Sequence, residues 1–66
     1  MRIRVNGEPR EVEPGTTAAR LIDILELDLR CAAVAVNSAV VPRSVLPGRV
    51  LADGDEVEVI EIVGGG

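Results

Sequence analysis

The order of its elements predicts that this chain folds as an α+β domain, a mixed sheet of four to five strands packed on one helix. Three observations carry the prediction. Asn6-Gly7 joins two strand-like stretches at the N-terminus, and one amphipathic stretch follows it. The richest run of β-branched residues comes last, from Glu56 to Val63. At 66 residues there is room for one domain and no more. Residues 1–63 are expected to form it, leaving 64–66 as a flexible glycine tail.

Taken in order, Ile3 and Val5 alternate with Arg2 and Arg4, the period-two pattern of a half-buried strand. Asn6-Gly7 is the strongest short hairpin signal, because both residues tolerate positive φ. The return strand is predicted over Glu8 to Glu13, and Pro9 assigns it to an edge, since proline cannot donate to a ladder. Pro14-Gly15 stops it. Thr16 or Thr17 can then cap a helix through its hydroxyl. From Ala18 to about Asp28, the apolar residues Ala18, Leu21, Ile22 and Leu25 fall at helical spacing, opposite Arg20, Asp23 and Glu26. That predicts one helix of roughly three turns.

Ala33 to Val36 reads as a short buried strand ending at Asn37-Ser38. Val40-Val41 begins another, cut off by Pro42, and Ser44 to Gly48 is a loop or a single helical turn. Asp53-Gly54-Asp55 is a turn before the last strand. A hairpin, a crossing helix and a long final strand make a sheet that grips a helix, the β-grasp arrangement. The helix supplies the crossover that a parallel pairing of the first and last strands requires.

Composition narrows the function. Apolar residues make up 47% of the chain, nearly all aliphatic, with no Phe, Tyr or Trp. Single-stranded nucleic acid is usually read by stacking on aromatics, so nucleic acid is an unfavourable partner. Net charge is −4, from seven arginines and eleven acidic residues with no lysine. Such a surface disfavours phosphate backbones and anionic membranes. It either steers a basic protein partner or simply keeps the chain soluble. The N-terminus lacks the apolar core of a signal peptide, and no segment is long enough to span a bilayer, so a cytoplasmic setting is expected.

Absences exclude much catalysis. Without His there is no imidazole base, no histidine metal ligand and no Ser-His pair. No Gly-rich loop followed by Lys stands between a strand and a helix to cradle ATP phosphates. The expectation is a chain that is not itself an enzyme and binds no cofactor or metal. Cys31, the single cysteine, is a nucleophile candidate beside Arg30, but it has no partner base. Free cysteine is commonly a small buried hydrophobe, and Cys31 is expected to be structural.

The C-terminal run Ile62-Val63-Gly64-Gly65-Gly66 is more informative. Three residues without Cβ can thread a narrow channel, and at about 3.3–3.6 Å each they reach on the order of 10 Å beyond the fold. They could place a carboxylate in another enzyme's active site, which would have to supply the ATP chemistry. On the residues alone, a loose end accounts for the tail equally well. In the strand before it, Val57 and Val59 share one face, whereas Ile60 and Ile62 fall on the face of Glu56 and Glu58. Either the strand bulges or is buried on both sides near its end, or Ile60, Ile62 and Val63 form an exposed docking patch. A chain this small covers both faces of a sheet with difficulty, which favours docking.

Val34-Ala35-Val36-Asn37, Val41-Pro42-Arg43-Ser44, the run Leu51 to Val59 through Asp53-Gly54-Asp55, and the ending Val63-Gly64-Gly65-Gly66 together resemble the thiamine-biosynthesis sulfur carriers of the ThiS family, ubiquitin-like β-grasp proteins. The resemblance covers essentially the whole chain. It implies that an E1-like adenylyltransferase of the ThiF type uses MgATP to adenylate the Gly66 carboxylate. Sulfur from a cysteine desulfurase pathway then gives a thiocarboxylate, which donates to a thiazole synthase of the ThiG type. Gly64 and Gly65 would give narrow access. Three terminal glycines, where many members have two after another residue, and Leu46-Pro47 in place of an aromatic or polar loop, depart from the family pattern. The same activated glycine serves the molybdopterin synthase small subunit and other sulfur carriers. A non-covalent β-grasp interaction module with an incidental tail is the reading from another class.

Overall fold

The computed structural model describes residues 1–62. Val63, Gly64, Gly65 and Gly66, which complete the predicted last strand and tail, lie outside the described residues. The strands are β1 (Arg2–Val5), β2 (Glu8–Glu11), β3 (Ala32–Val36), β4 (Ala39–Val41) and β5 (Glu56–Glu61), with one helix, α1 (Ala18–Ile24), among the described residues. They form one sheet in the order β2-β1-β5-β3-β4. β1 and β5 run parallel in register Val5↔Val57, and all other pairings are antiparallel. The central strand β5 is thus the last in sequence. The expected mixed sheet gripping one helix is what the chain forms.

Local chemistry explains the turns. Asn6 and Gly7 have φ of 52° and 85°, so β1 reverses into β2 through two left-handed residues. Asn37 and Ser38, at 51° and 71°, make the same kind of turn between β3 and β4. Sequence reading placed a strand end there but did not identify the hairpin, because Ser is an uncommon left-handed residue. Pro9 lies in edge strand β2, as expected.

Thr17 is the cap of α1, its hydroxyl accepting the Arg20 N–H at 3.1 Å. The helix start is stitched to the segment before β5: Ala18 N–H donates to the Arg49 carbonyl at 2.8 Å, and Leu51 N–H to that of Thr16 at 2.9 Å. Ala18, Leu21 and Ile22 are buried against Ile3, Val34, Val36 and Val57 of the sheet, with Leu46 and Leu51 closing the core. Val34, Val36 and Val57 alternate with exposed or half-buried neighbours, so the strand read as buried buries one face.

Three boundaries differ from the sequence reading. The return strand β2 stops at Glu11 rather than Glu13, although Val12 N–H still donates to the Met1 carbonyl at 2.9 Å. β5 stops at Glu61. Helix α1 makes two turns, not three, ending at Ile24. Glu26 takes φ of 61°, Leu27 N–H bonds back to the Ile22 carbonyl at 3.1 Å, and Glu26 N–H to that of Asp23 at 3.0 Å. Those two bonds are a Schellman cap, normally signalled by Gly at the left-handed position. With Glu there, the stop was invisible in the sequence.

Candidate functional site at the C-terminal end of the central strand

β5 is held firmly at its start. Asp55, 8% exposed, accepts the Ala52 N–H at 2.8 Å and the Asn37 amide at 3.0 Å. Burial by itself would raise the Asp55 carboxyl, but those two hydrogen bonds and the charge of Arg49 outweigh it, leaving the group below its ordinary value. The Asn37 amide oxygen also accepts the Glu56 N–H at 3.0 Å, while the Asn37 N–H donates to the Glu56 carbonyl at 2.7 Å. Every buried side-chain nitrogen and oxygen among the described residues has a partner.

Further along β5, hydrogen bonding alternates between neighbours, as the strand period requires. Val57 accepts from Asn6 N–H on the β1 edge at 2.9 Å. Val59 bonds to the Asn6 side chain, its N–H to Oδ1 at 2.8 Å and its carbonyl to Nδ2 at 3.2 Å. Ile60 pairs with Ala33 on the β3 edge, and Ile62 N–H donates to the Cys31 carbonyl at 2.6 Å.

The register with β3 runs unbroken from Val36↔Val57 to Ala32↔Glu61, which overturns the bulge reading. Ile60 and Ile62 therefore point away from α1 and are exposed, at 63% and 57%. They do not stand alone on that open face. Ala33 lies opposite Ile60, Ala35 lies between Glu58 and Val40, and Val40 is 77% exposed. Two small side chains on β3 thus lie between Ile60 and Val40 in one apolar patch on the open face. The other end of the same face carries Arg2, Arg4, Glu56 and Glu58, with Arg4 paired beside Glu56. Polarity falls along β5 towards the glycines.

Sequence reading found Ile60 and Ile62 but missed Ala33, Ala35 and Val40. The alternation of Ala with Val over 32–36 carried a signal, since period two puts the alanines on one face. Val63 and the three glycines lie outside the described residues.

Cys31 corrects an expectation. A structural, buried thiol is expected there, yet Cys31 is exposed. The turn Leu29–Cys31 swings its side chain outwards before β3 begins, because Asp28 caps that turn by accepting the Arg30 N–H at 2.9 Å. Among the described residues, no group of three or more His, Cys, Asp or Glu is placed to hold a metal ion. No helix there is long and apolar enough to cross a membrane.

The sequence profile of the ThiS family matches residues 3–66. The chain belongs to that family. This ThiS-family chain is 37% identical over 62 residues to the sulfur carrier protein ThiS of Thermus thermophilus, covering 94% of the chain and 95% of the relative. The crystal structure of a thiamine biosynthesis protein (ThiS) from Geobacter metallireducens superposes with a TM-score of 0.84 at 29% identity, covering all of both chains. A thiazole synthase of Magnetococcus marinus is 41% identical over 66 residues, all of the ThiS-family chain. The chain spans 20% of the length of that relative and of a second thiazole synthase, from Paramagnetospirillum magneticum.

Proposed function

We propose that this chain is a sulfur carrier in the cytoplasm for thiazole formation in thiamine biosynthesis, a protein co-substrate that partner enzymes act on. One observation carries the reading: the ThiS-family match runs from Ile3 through the three glycines. The exposed patch that precedes them supports it.

In this reading a carboxylate oxygen of Gly66 attacks the α-phosphorus of MgATP held by an E1-like adenylyltransferase, and pyrophosphate leaves. The terminal sulfur of a persulfide, supplied by a cysteine desulfurase pathway, attacks the acyl carbon and expels AMP. A thiol then cleaves the resulting acyl disulfide, releasing the thiocarboxylate and leaving a disulfide on the donor side. Thiazole synthase takes the sulfur. The chain itself supplies position: Ile60, Ile62 and Val63 dock on the partner, and Gly64 and Gly65 give narrow access to the adenylation site. Identity to two thiazole synthases supports that enzyme as the acceptor.

The test is intact-protein mass after incubation with MgATP, a ThiF-type adenylyltransferase and a sulfur donor. The expected outcome is a rise equal to one oxygen exchanged for one sulfur, mapped to Gly66 and absent when Gly65 and Gly66 are deleted. An unchanged mass, while a known carrier reacts alongside, would hand the function to a non-covalent interaction module built on the exposed apolar patch of Val40 and Ile60.

A further inference from the structure

Asn6 does two things that conflict for most residues. Its backbone, at φ 52°, leaves the sheet to begin the β1–β2 turn. Its side chain stays, and the amide bonds both polar groups of Val59, which in an extended parallel β1 would take the carbonyl of residue 6 and the N–H of residue 8. A carboxamide carries the donor and acceptor of a peptide group, so it lengthens the parallel ladder one step beyond Val5↔Val57. Past this point the bonds among the described residues lie on one edge, with Ile60 beside Ala33 of β3 and Ile62, just after β5, on the carbonyl of Cys31, just before β3.

We propose that Asn6 is a positioning residue for activation of the tail: its amide fixes the end of β5, so that Ile60 and Ile62 meet the adenylyltransferase already ordered. The inference rests on the sulfur-carrier reading. Asn37 is the built-in contrast. It occupies the same place in the same kind of turn, at φ 51°, and its amide likewise grips the strand, but at its start, on Glu56 and on Asp55 just before it. Loss of either amide loosens the fold. Only loss of Asn6 loosens the strand end that docks.

Asn6→Gly and Asn37→Gly keep both left-handed turns while removing each amide. Steady-state adenylation of the full chain by a ThiF-type enzyme is measured for both variants, with thermal unfolding and amide hydrogen exchange at Val59. Ordering the backbone of one extra residue on binding corresponds to about a tenfold effect, so Asn6→Gly is expected to raise KM about tenfold with kcat within about twofold of wild type. Its Val59 amide should exchange faster. Asn37→Gly should lose comparable thermal stability and keep the wild-type KM. Asn6→Asp, which retains the acceptor for the Val59 N–H but not the donor, should fall between, and it serves as the probe if the glycine variant does not fold.

Equal KM values for the Asn6 variants and wild type, or the same rise in Asn37→Gly, overturn the role of Asn6 while wild-type adenylation leaves the carrier reading standing. Failure of the wild type itself, with a known carrier reacting, removes the carrier reading and the proposal with it.

Discussion

At its start β5 is bonded on both edges and buried on one face, with Asn37 bonding Asp55 and Glu56, and the Asn6 amide extends the second edge as far as Val59. Beyond Val59 the β3 edge continues, and apolar side chains turn to the open face. The two ends share one strand, one register and similar residue types. What separates them is what lies over each side chain. Val57 sits under α1 at 1% exposure, whereas Ile60 stands on the uncovered side of the sheet. The same aliphatic chemistry thus stabilises the fold at one end and is left available at the other.

Truncation at the covered end should have the largest effect on stability. Val57→Ala is expected to cost about 2 kcal/mol through lost burial and a residual cavity, lowering the midpoint of thermal unfolding by roughly 10 °C. Adenylation per folded molecule should stay as in wild type. A calorimetric midpoint within a degree or two of wild type would mean that α1 does not seal this end of the strand.

Ile60→Asp should invert that pattern. Because the side chain is exposed, stability should change by no more than about 0.5 kcal/mol. Affinity for the adenylyltransferase should fall on the order of thirtyfold, as for an apolar anchor replaced by a charge that must be desolvated. Titration calorimetry against the partner reads this directly, and full affinity in the variant would exclude the open face as the docking surface.

The smallest effect concerns the clamp at the start of β5, and it depends on pH. The Asp55 carboxyl binds its proton less readily in the folded chain than in the unfolded one. Its stabilisation is therefore complete above the ordinary aspartate value, about 3.9, and is lost as pH falls through the lower folded value. Asp55→Asn should be less stable than wild type near neutrality, and the gap should shrink below about pH 4. A gap that stays constant in acid urea denaturation would show that the Asp55 charge contributes nothing beyond its shape.

Much of this architecture was legible in the residues. Alternation in 2–5, the Asn6-Gly7 pair, Thr before an amphipathic run and Pro9 on an edge strand are local signals, and the chain follows each of them. The helix end escaped because Glu26 adopts a conformation that Gly would have announced. Cys31 escaped because residue type says little about exposure at a junction, where a capped turn decides which way the side chain faces.

By itself the sequence determined which residues alternate, where the chain reverses, and that Ile60 and Ile62 break the pattern of Val57 and Val59, since periodicity follows from backbone geometry alone. It also carried the family, through Ile3 to Gly66. Only the tertiary structure decided that Ile60 joins Val40 across two alanines, and that Asn6 grips Val59. Both depend on which strands become neighbours and in what register, a choice made by burying one aliphatic face under α1 between segments far apart in the chain.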